Sequence, residues 1–196
     1  MTAIAPSLSS PGLLATTIAK KVVMALTGVI LTGFVLVHMT GNLLLYKGPE
    51  AINAYAELLQ SKPPLVWGAR IVLLGSVLLH IWAATTLTLT NWAARPVGYR
   101  RSAYETSTYA SRTMRWGGPL LALFIVYHLL HFTVGVAQGG FIRGDVYHNV
   151  LIGFQNGPIA FFYVLSMVAL SLHLFHGVES MLQTLGLSHP KYNTLR

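Results

Sequence analysis

The sequence predicts an all-α membrane protein: a single transmembrane domain over residues 1–196, built as a bundle of four membrane-spanning helices. Only 9% of its 196 residues are charged, whereas soluble domains carry about a quarter. The few charges separate four long apolar blocks, and each block exceeds the roughly 20 residues that one helix needs to cross a bilayer. We expect the spans at about residues 21–46, 64–94, 117–138 and 158–185.

Composition also excludes several kinds of protein. The net charge is +8, but the basic residues lie between the apolar blocks, so a lipid surface or an attached partner explains them better than nucleic acid does. The chain has no cysteine, which excludes iron–sulfur clusters, disulfides and thioether-linked haem. Lys20 and Lys21 precede a full span rather than a short apolar core with a cleavage site, so we expect a retained first helix instead of a signal peptide.

Each apolar block has recognisable ends. Gly48-Pro49 ends the first block, and apolar residues at helical spacing then predict a short amphipathic helix on the membrane surface at about residues 50–60. The second helix begins with Pro64 in its first turn, where proline is tolerated. The third block is followed by a Gly-rich segment, residues 139–157, that reads as a loop.

The distribution of Lys and Arg predicts the orientation of the bundle. Nine of the thirteen lie in the N-terminus, the middle loop and the C-terminus, three lie in the other two loops, and Arg70 lies within the second helix. By the positive-inside rule, both termini and the middle loop are cytoplasmic. We therefore expect a multi-pass protein of the bacterial inner (cytoplasmic) membrane with a cytoplasmic N-terminus.

Histidines inside the spans are the strongest functional signal. An ionisable group at membrane depth is costly and calls for a partner or a function. Two facing imidazoles in a helix bundle can ligate haem iron, and without cysteine only a b-type haem can be held in this way. The first two spans contain one histidine each, His38 and His80. The third contains His128 and His131, and the fourth contains His173 and His176.

Depth predicts how these histidines pair. At about 1.5 Å per helical residue, His38 and His128 lie roughly 25 Å and 18 Å from the cytoplasmic edge. His173 lies only about 9 Å from that edge, and His80 falls near mid-span. We therefore predict an outer pair, His38 with His128, and an inner pair, His80 with His173.

The spacing of residues along the helices leaves several assignments open. His131 and His176 follow candidate ligands by three residues, so they are alternative ligands, or they bond propionates or water. A ligating imidazole usually donates its second N–H to a partner, for which Ser76, Thr85 and Ser171 are candidates. Arg70 is placed to pair with a propionate of the outer haem, or else to extend its side chain to the membrane surface.

Longer stretches of the chain resemble a known family. The run KKVVMALTGVILTGFVLVHMTGN, the loop GPEAINAYAELLQ, the stretch SRTMRWGGPLLALFIVYHLLHF and the closing FFYVLSMVALSLHLFHGVESMLQTLGL are similar to the dihaem cytochrome b anchor of succinate dehydrogenase, of the single-subunit kind related to fumarate reductase anchors. Members of this family typically have a fifth membrane helix after the region matching GLSHPKYNTLR, where this sequence stops, so either that helix is absent or the sequence is shortened.

The resemblance implies a function and a set of ligands. It implies an anchor, non-catalytic by itself, that docks a flavoprotein and an iron–sulfur subunit on the cytoplasmic side, as in respiratory complex II of the tricarboxylic acid cycle. Electrons from succinate would pass through two b haems to quinone, commonly menaquinone. The first histidine of YHLLH and of LHLFH is the matching one. The implied axial ligands are therefore His38, His80, His128 and His173.

Further residues receive roles on this interpretation. Lys21 and Arg112 would neutralise inner propionates or meet the iron–sulfur subunit. An outer quinone site would lie near Asn42, Tyr46, Glu50 and Arg70, with the carboxylate relaying protons; an inner site is equally allowed.

Three other functions are compatible with the sequence. The first is a fumarate reductase anchor, the same machine run backwards. The second is a dihaem cytochrome without a soluble dehydrogenase, and the third is a haem-free bundle whose histidines relay protons. Sequence does not give the oligomeric state, and a higher oligomer is compatible with it.

Overall fold

A computed structural model describes residue 12 and residues 16–94 and 108–188 of the chain. All regular secondary structure in this part of the chain is helical, which confirms the predicted fold class. Four of its helical segments are long and apolar enough to cross a membrane. They are Thr17–Lys47, Pro63–Ala93, Tyr109–Val134 and Gly157–Thr184.

We number the helices in chain order. The elements are α1 (Thr17–Asn42) followed by a 3₁₀ turn (Leu43–Lys47), α2 (Pro49–Gln60), α3 (Pro63–Ala93), α4 (Tyr109–His128) followed by a π-helical segment (Leu129–Val134), α5 (Val146–Gln155) and α6 (Gly157–Thr184).

Local sequence signals set most helix starts. Proline stands in the first turn of α2, α3 and α6, where its missing N–H costs nothing. At four starts, that of α6 among them, a side-chain oxygen accepts a hydrogen bond from a backbone N–H in the first turn. These capping residues are Thr16, Thr108, Asp145 and Asn156.

The third span differs from its predicted bounds of 117–138. Its helix begins at Tyr109, because the cap at Thr108 starts it two turns before the apolar block and the basic residues there continue the helix. It ends at Val134, because Gly135 takes a left-handed conformation (φ 85°) and its N–H bonds to Leu130 O at 3.0 Å. A side chain at Gly135 would also collide with the ring of Phe141.

The predicted loop 139–157 is wrong in part, because it contains α5. Asp145 caps this helix at its first turn, accepting from the backbone N–H of His148 at 3.0 Å. Asn53 of α2 reaches it as well: its amide donates to Asp145 at 3.0 Å and accepts from the Tyr147 N–H at 3.1 Å. The short helices α2 and α5 are thereby joined.

The four long helices alternate in direction. At one end, which we call the N-terminal end, Ile18 and Lys21 of α1 line the same cleft as Gln183 and Thr184 of α6. The guanidinium of Arg115 on α4 lies 5.9 Å from the ring centre of Trp92 on α3 at this end. The opposite end, which we call the far end, carries α2 and α5.

Packing joins α1 to α3, α4 to α6, and α1 to α6. Small residues on α1 and α3, including Ala25, Thr27, Ser76 and Ala83, are buried, as in closely packed membrane helices. Phe124 of α4 and Tyr163 and Ser166 of α6 are buried in turn. Within the described ranges, neither α1 with α4 nor α3 with α6 forms a packed interface.

Candidate functional site

The outer pair of histidines lies together between α1 and α4. The ring centres of His38 and His128 are 5.8 Å apart, and the two rings are nearly perpendicular. A phenylalanine four residues earlier on the same helix flanks each of them. Phe34 stacks on His38 at 5.2 Å, and Phe124 lies 5.6 Å from His128.

The inner pair lies between α3 and α6, nearer the N-terminal end. The ring centres of His80 and His173 are 6.2 Å apart. His80 is bonded to Thr27 of α1, and His38 follows Thr27 by eleven residues on that helix. At about 1.5 Å per residue, the two pairs are therefore about 16 Å apart along the bundle.

Each pair bridges two helices that do not pack on each other, which is the arrangement that a group inserted between the imidazoles requires. A transition metal–imidazole bond is about 2 Å long, as in zinc sites, and an imidazole atom lies about 1.1 Å from the ring centre. Two such bonds in line would separate the ring centres by about 6 Å. The observed separations, 5.8 Å and 6.2 Å, fit a haem iron between each pair.

The donor set also suits a porphyrin better than a bare metal ion. Among the described residues, no group of three or more His, Cys, Asp or Glu side chains converges to hold a metal. Each pair offers two nitrogen ligands, the number that a porphyrin leaves open on its iron. His173 Nδ1 is moreover buried with no hydrogen-bond partner in the described part of the chain, a costly state for a polar atom.

The partner of His80 is a residue that sequence reasoning missed. Thr27 Oγ1 lies 3.0 Å from His80 Nδ1 and 2.8 Å from the backbone oxygen of Val23. Its single proton goes to the backbone, so the hydroxyl accepts from Nδ1–H and leaves Nε2 of His80 with a free lone pair. Of the predicted candidates for this role, Ser171 instead donates to its own helix at Met167 O.

His131 is enclosed and faces no histidine pair. It has no exposed surface, its ring centre lies 4.1 Å from that of Phe132, and Nδ1 lies 3.0 Å from the hydroxyl of Tyr163. His176 Nε2 lies 3.2 Å from Ser180 Oγ, one turn along the same helix. The two alternative ligands therefore have other partners, whereas His128 and His173 lie opposite the histidines predicted to pair with them.

The basic residues assigned to propionates lie at different levels. Lys21 lines the cleft at the N-terminal end. Arg112 lies near the same end, with its guanidinium 5.9 Å from the ring centre of Tyr109. Arg70 is exposed near the start of α3, 5.0 Å from the ring centre of Trp67.

The residues assigned to quinone lie at the far end without forming one pocket. Asn42 ends α1, and Tyr46 in the following 3₁₀ turn is 86% exposed. Glu50 lines an open cleft on α2 with Asn53 and Glu57.

One signal in the sequence could have found more of the site. The pattern Phe-x-x-x-His occurs at Phe34 and Phe124, and in both cases the phenylalanine packs on the outer histidine. Tyr163, by contrast, has no signal of its own in the sequence: it is the last of three consecutive aromatic residues on α6, and only packing selects it.

Comparison with known families places the chain. The family model for the succinate dehydrogenase/fumarate reductase transmembrane subunit matches residues 91–196, more than half of the chain. The chain belongs to this family. A search of curated proteins and a search of solved structures each found no match.

This transmembrane subunit is therefore a multi-pass membrane protein and a non-catalytic anchor within its complex. The family implies association with the soluble flavoprotein and iron–sulfur subunits. The matched region contains His128 and His173 and ends well after α6, while the first two histidine-bearing helices lie almost wholly outside it.

Proposed function

We propose that this anchor is the dihaem cytochrome b subunit of a succinate dehydrogenase, which passes electrons from an iron–sulfur subunit to quinone, with menaquinone the expected species. The observation that carries the proposal is the placement of two histidine pairs between helices that do not pack on each other. When bound, each haem would supply one-electron transfer at its level of the membrane.

The residues of the chain would hold and orient the two groups. His38 and His128 would ligate the outer haem, and His80 and His173 the inner one. The hydroxyl of Thr27 lies 3.0 Å from His80 Nδ1, which would leave Nε2 as the nitrogen that ligates the inner haem. Lys21 and Arg112, near the N-terminal end, are placed to neutralise inner propionates, and Arg70 to pair with an outer one.

The stacking of the two pairs suits transport across the membrane. Levels about 16 Å apart along the helices would divide the hydrocarbon layer, about 30 Å thick, into short steps. The iron–sulfur clusters would belong to a partner subunit, since this chain has no cysteine to ligate them.

The test counts haems in single-ligand variants of the assembled complex. Reduced-minus-oxidised spectra and the haem-to-protein ratio should show two b haems in the wild type. Alanine at His38, His80, His128 or His173 should each remove one of them. His176→Ala is the matched control, because this histidine shares α6 and its depth but bonds Ser180; it should keep both. Two haems retained in any ligand variant would contradict the assignment.

The quinone site is proposed at the far end, near Asn42, Tyr46 and Glu50, with Glu50 relaying protons. We expect Glu50→Gln to lose succinate:quinone activity while haem content stays intact. Glu57→Gln, two turns further along α2, is the control and should stay active. Full activity of Glu50→Gln would place the quinone elsewhere, with the N-terminal end as the other location.

The same tests separate the alternatives. The geometry serves both directions of electron flow, so comparing succinate oxidation with fumarate reduction in the purified complex distinguishes a dehydrogenase from a reductase. Haem bands without a co-purifying flavoprotein would favour a free-standing dihaem cytochrome. Absence of haem from the wild type would leave the proton-relay bundle.

A further inference from the structure

Tyr163 of α6 lies between two histidines of the third span. Its hydroxyl oxygen is 3.4 Å from His128 Nδ1 and 3.0 Å from His131 Nδ1. The Tyr163 side chain is 8% exposed, His131 is fully buried and His128 is half-buried, so the three groups form one polar cluster that is largely buried. Only one member of this cluster, His128, has a role in the function proposed above.

The number of protons in the cluster determines which group donates in each hydrogen bond. A phenol has one proton to give and can accept as well. If His128 holds iron through Nε2, its proton is on Nδ1, and this N–H donates to the Tyr163 oxygen. The phenolic O–H then donates to His131 Nδ1. His131 is left with its proton on Nε2, which is buried and has no partner among the described residues.

The surroundings hold the phenol in place. The Tyr163 ring meets Phe124 edge-on at 5.1 Å and Phe154 of α5 edge-on at 4.9 Å. Edge-to-face aromatic contacts at these distances stabilise a fixed ring orientation. On its far side, His131 abuts Gly153 of α5, where a Cβ would come within 3.0 Å of the imidazole.

In the inner pair, a different hydroxyl group orients the histidine. There an aliphatic hydroxyl, Thr27, accepts from His80 Nδ1 while its own proton is used by the Val23 carbonyl. The Tyr163 phenol and the Thr27 hydroxyl each present an oxygen acceptor to the nitrogen of a proposed ligand that does not bind iron. Such an acceptor fixes the tautomer of the imidazole and raises the basicity of its other nitrogen. The two hydroxyl groups belong to different elements, so each should act on one site only.

We propose that Tyr163 is a positioning residue for the outer haem. His131 supports this role by accepting a hydrogen bond from the phenolic O–H, so that the phenol oxygen is free to accept one from His128. This rests on the proposed dihaem function. The phenol thereby favours the His128 tautomer that leaves Nε2 free to bind iron. His131 is on this assignment neither a ligand nor a spare histidine.

The experiment is a redox titration of the purified complex with site-resolved haem signals. Wild type should give two waves, which His38→Ala and His173→Ala assign by removing the outer and the inner one. Tyr163→Phe removes the hydroxyl and keeps the ring. It should retain two haems and raise the midpoint potential of the outer wave alone, because a less basic ligand favours ferrous iron.

Two further variants make the test specific. Thr27→Val is the mirror control: it should raise the inner wave and leave the outer one unchanged. His131→Leu removes the acceptor of the phenolic proton, so it should alter or abolish the outer wave alone. Low-temperature electron spin resonance of the low-spin haems provides a second readout, and its outer signal should shift in Tyr163→Phe.

The outcomes separate this inference from the function beneath it. Wild-type protein without haem would overturn the proposed function and the inference together. Two haems in the wild type, with the outer wave unmoved in both Tyr163→Phe and His131→Leu, would overturn the inference alone. An equal shift of both waves in Tyr163→Phe would do so as well, because that indicates a general loosening of the bundle.

Discussion

At the residue scale, glycines leave the space that two of the imidazole rings occupy. Gly28 of α1 faces His80, and a Cβ there would sit 3.8 Å from the ring, an ordinary contact. Gly153 of α5 is tighter, because a Cβ would approach His131 Cε1 to 3.0 Å and Nε2 to 3.1 Å. Since His131 is enclosed on all sides, its ring has little freedom to retreat.

We expect Gly153→Ala to destabilise the protein by about 1–3 kcal/mol, the usual cost of overpacking. Thermal unfolding of the detergent-solubilised complex measures this as a lower midpoint. Gly68→Ala on α3 is the matched control, since no atom lies within 4 Å of its added methyl group. An unchanged midpoint for Gly153→Ala would mean that His131 is not confined as described.

At the scale of secondary-structure elements, the carboxylate of Asp145 joins the two short helices at the far end. Asp145 caps α5 and accepts from Asn53 of α2. The bond from the His148 backbone N–H, followed by the bond from the Asn53 side chain, holds the pKa of Asp145 below its ordinary value of 3.8. Sequence reasoning assigned this segment to a loop, because the Gly-rich approach to it hides a helix of only ten residues.

A depressed pKa has a definite consequence for stability. The ionised carboxylate stabilises the folded state above the ordinary carboxyl pKa, and this contribution is lost as pH falls through the lower, folded value. The junction of α2 and α5 should therefore hold at neutral pH and loosen only in acid, below about pH 4.

Hydrogen exchange or limited proteolysis of α5 between pH 6 and pH 3 measures this loosening. Asp145→Asn keeps an acceptor but has no charge to lose, so its junction should be weaker at pH 6 and change little on acidification. Equal acid sensitivity of the wild type and Asp145→Asn would show that another group controls this region.

At the scale of the whole molecule, the helix arrangement places the two histidine pairs at two levels of the bundle. The helices pack as α1 on α3, α4 on α6 and α1 on α6, and each histidine pair joins two helices that do not pack on each other. A bound group at each level would stabilise the folded bundle by mass action.

The predicted orientation can be tested directly, because the chain contains no cysteine. Single cysteines at Ser61, in the connection between α2 and α3, and at Ser102, in the middle basic segment, report the two sides. We expect an impermeant maleimide to label Ser61→Cys in intact cells, and Ser102→Cys only after the membrane is opened. The reverse pattern would place the termini outside.

Much of this architecture follows from local properties of the sequence. Apolar block length determines the number of spans, because a bilayer leaves no backbone polar group unpaired and so selects helices of a set length. The fixed rise per residue then places His38 and His128 at one level and His80 and His173 at another. The bounds near residue 109 and beyond residue 134 escaped prediction, because capping residues and a single left-handed glycine set them.

Only the tertiary structure decided which polar groups meet. Thr27 reaches a histidine 53 residues away, and Tyr163 reaches one 35 residues away, because helix rotation and close packing bring those faces together. No periodicity in one helix encodes the rotation of its neighbour. The sequence by itself therefore determined the class of protein, its spans and the depth of its histidines, whereas packing between helices chose the hydroxyl groups that orient them.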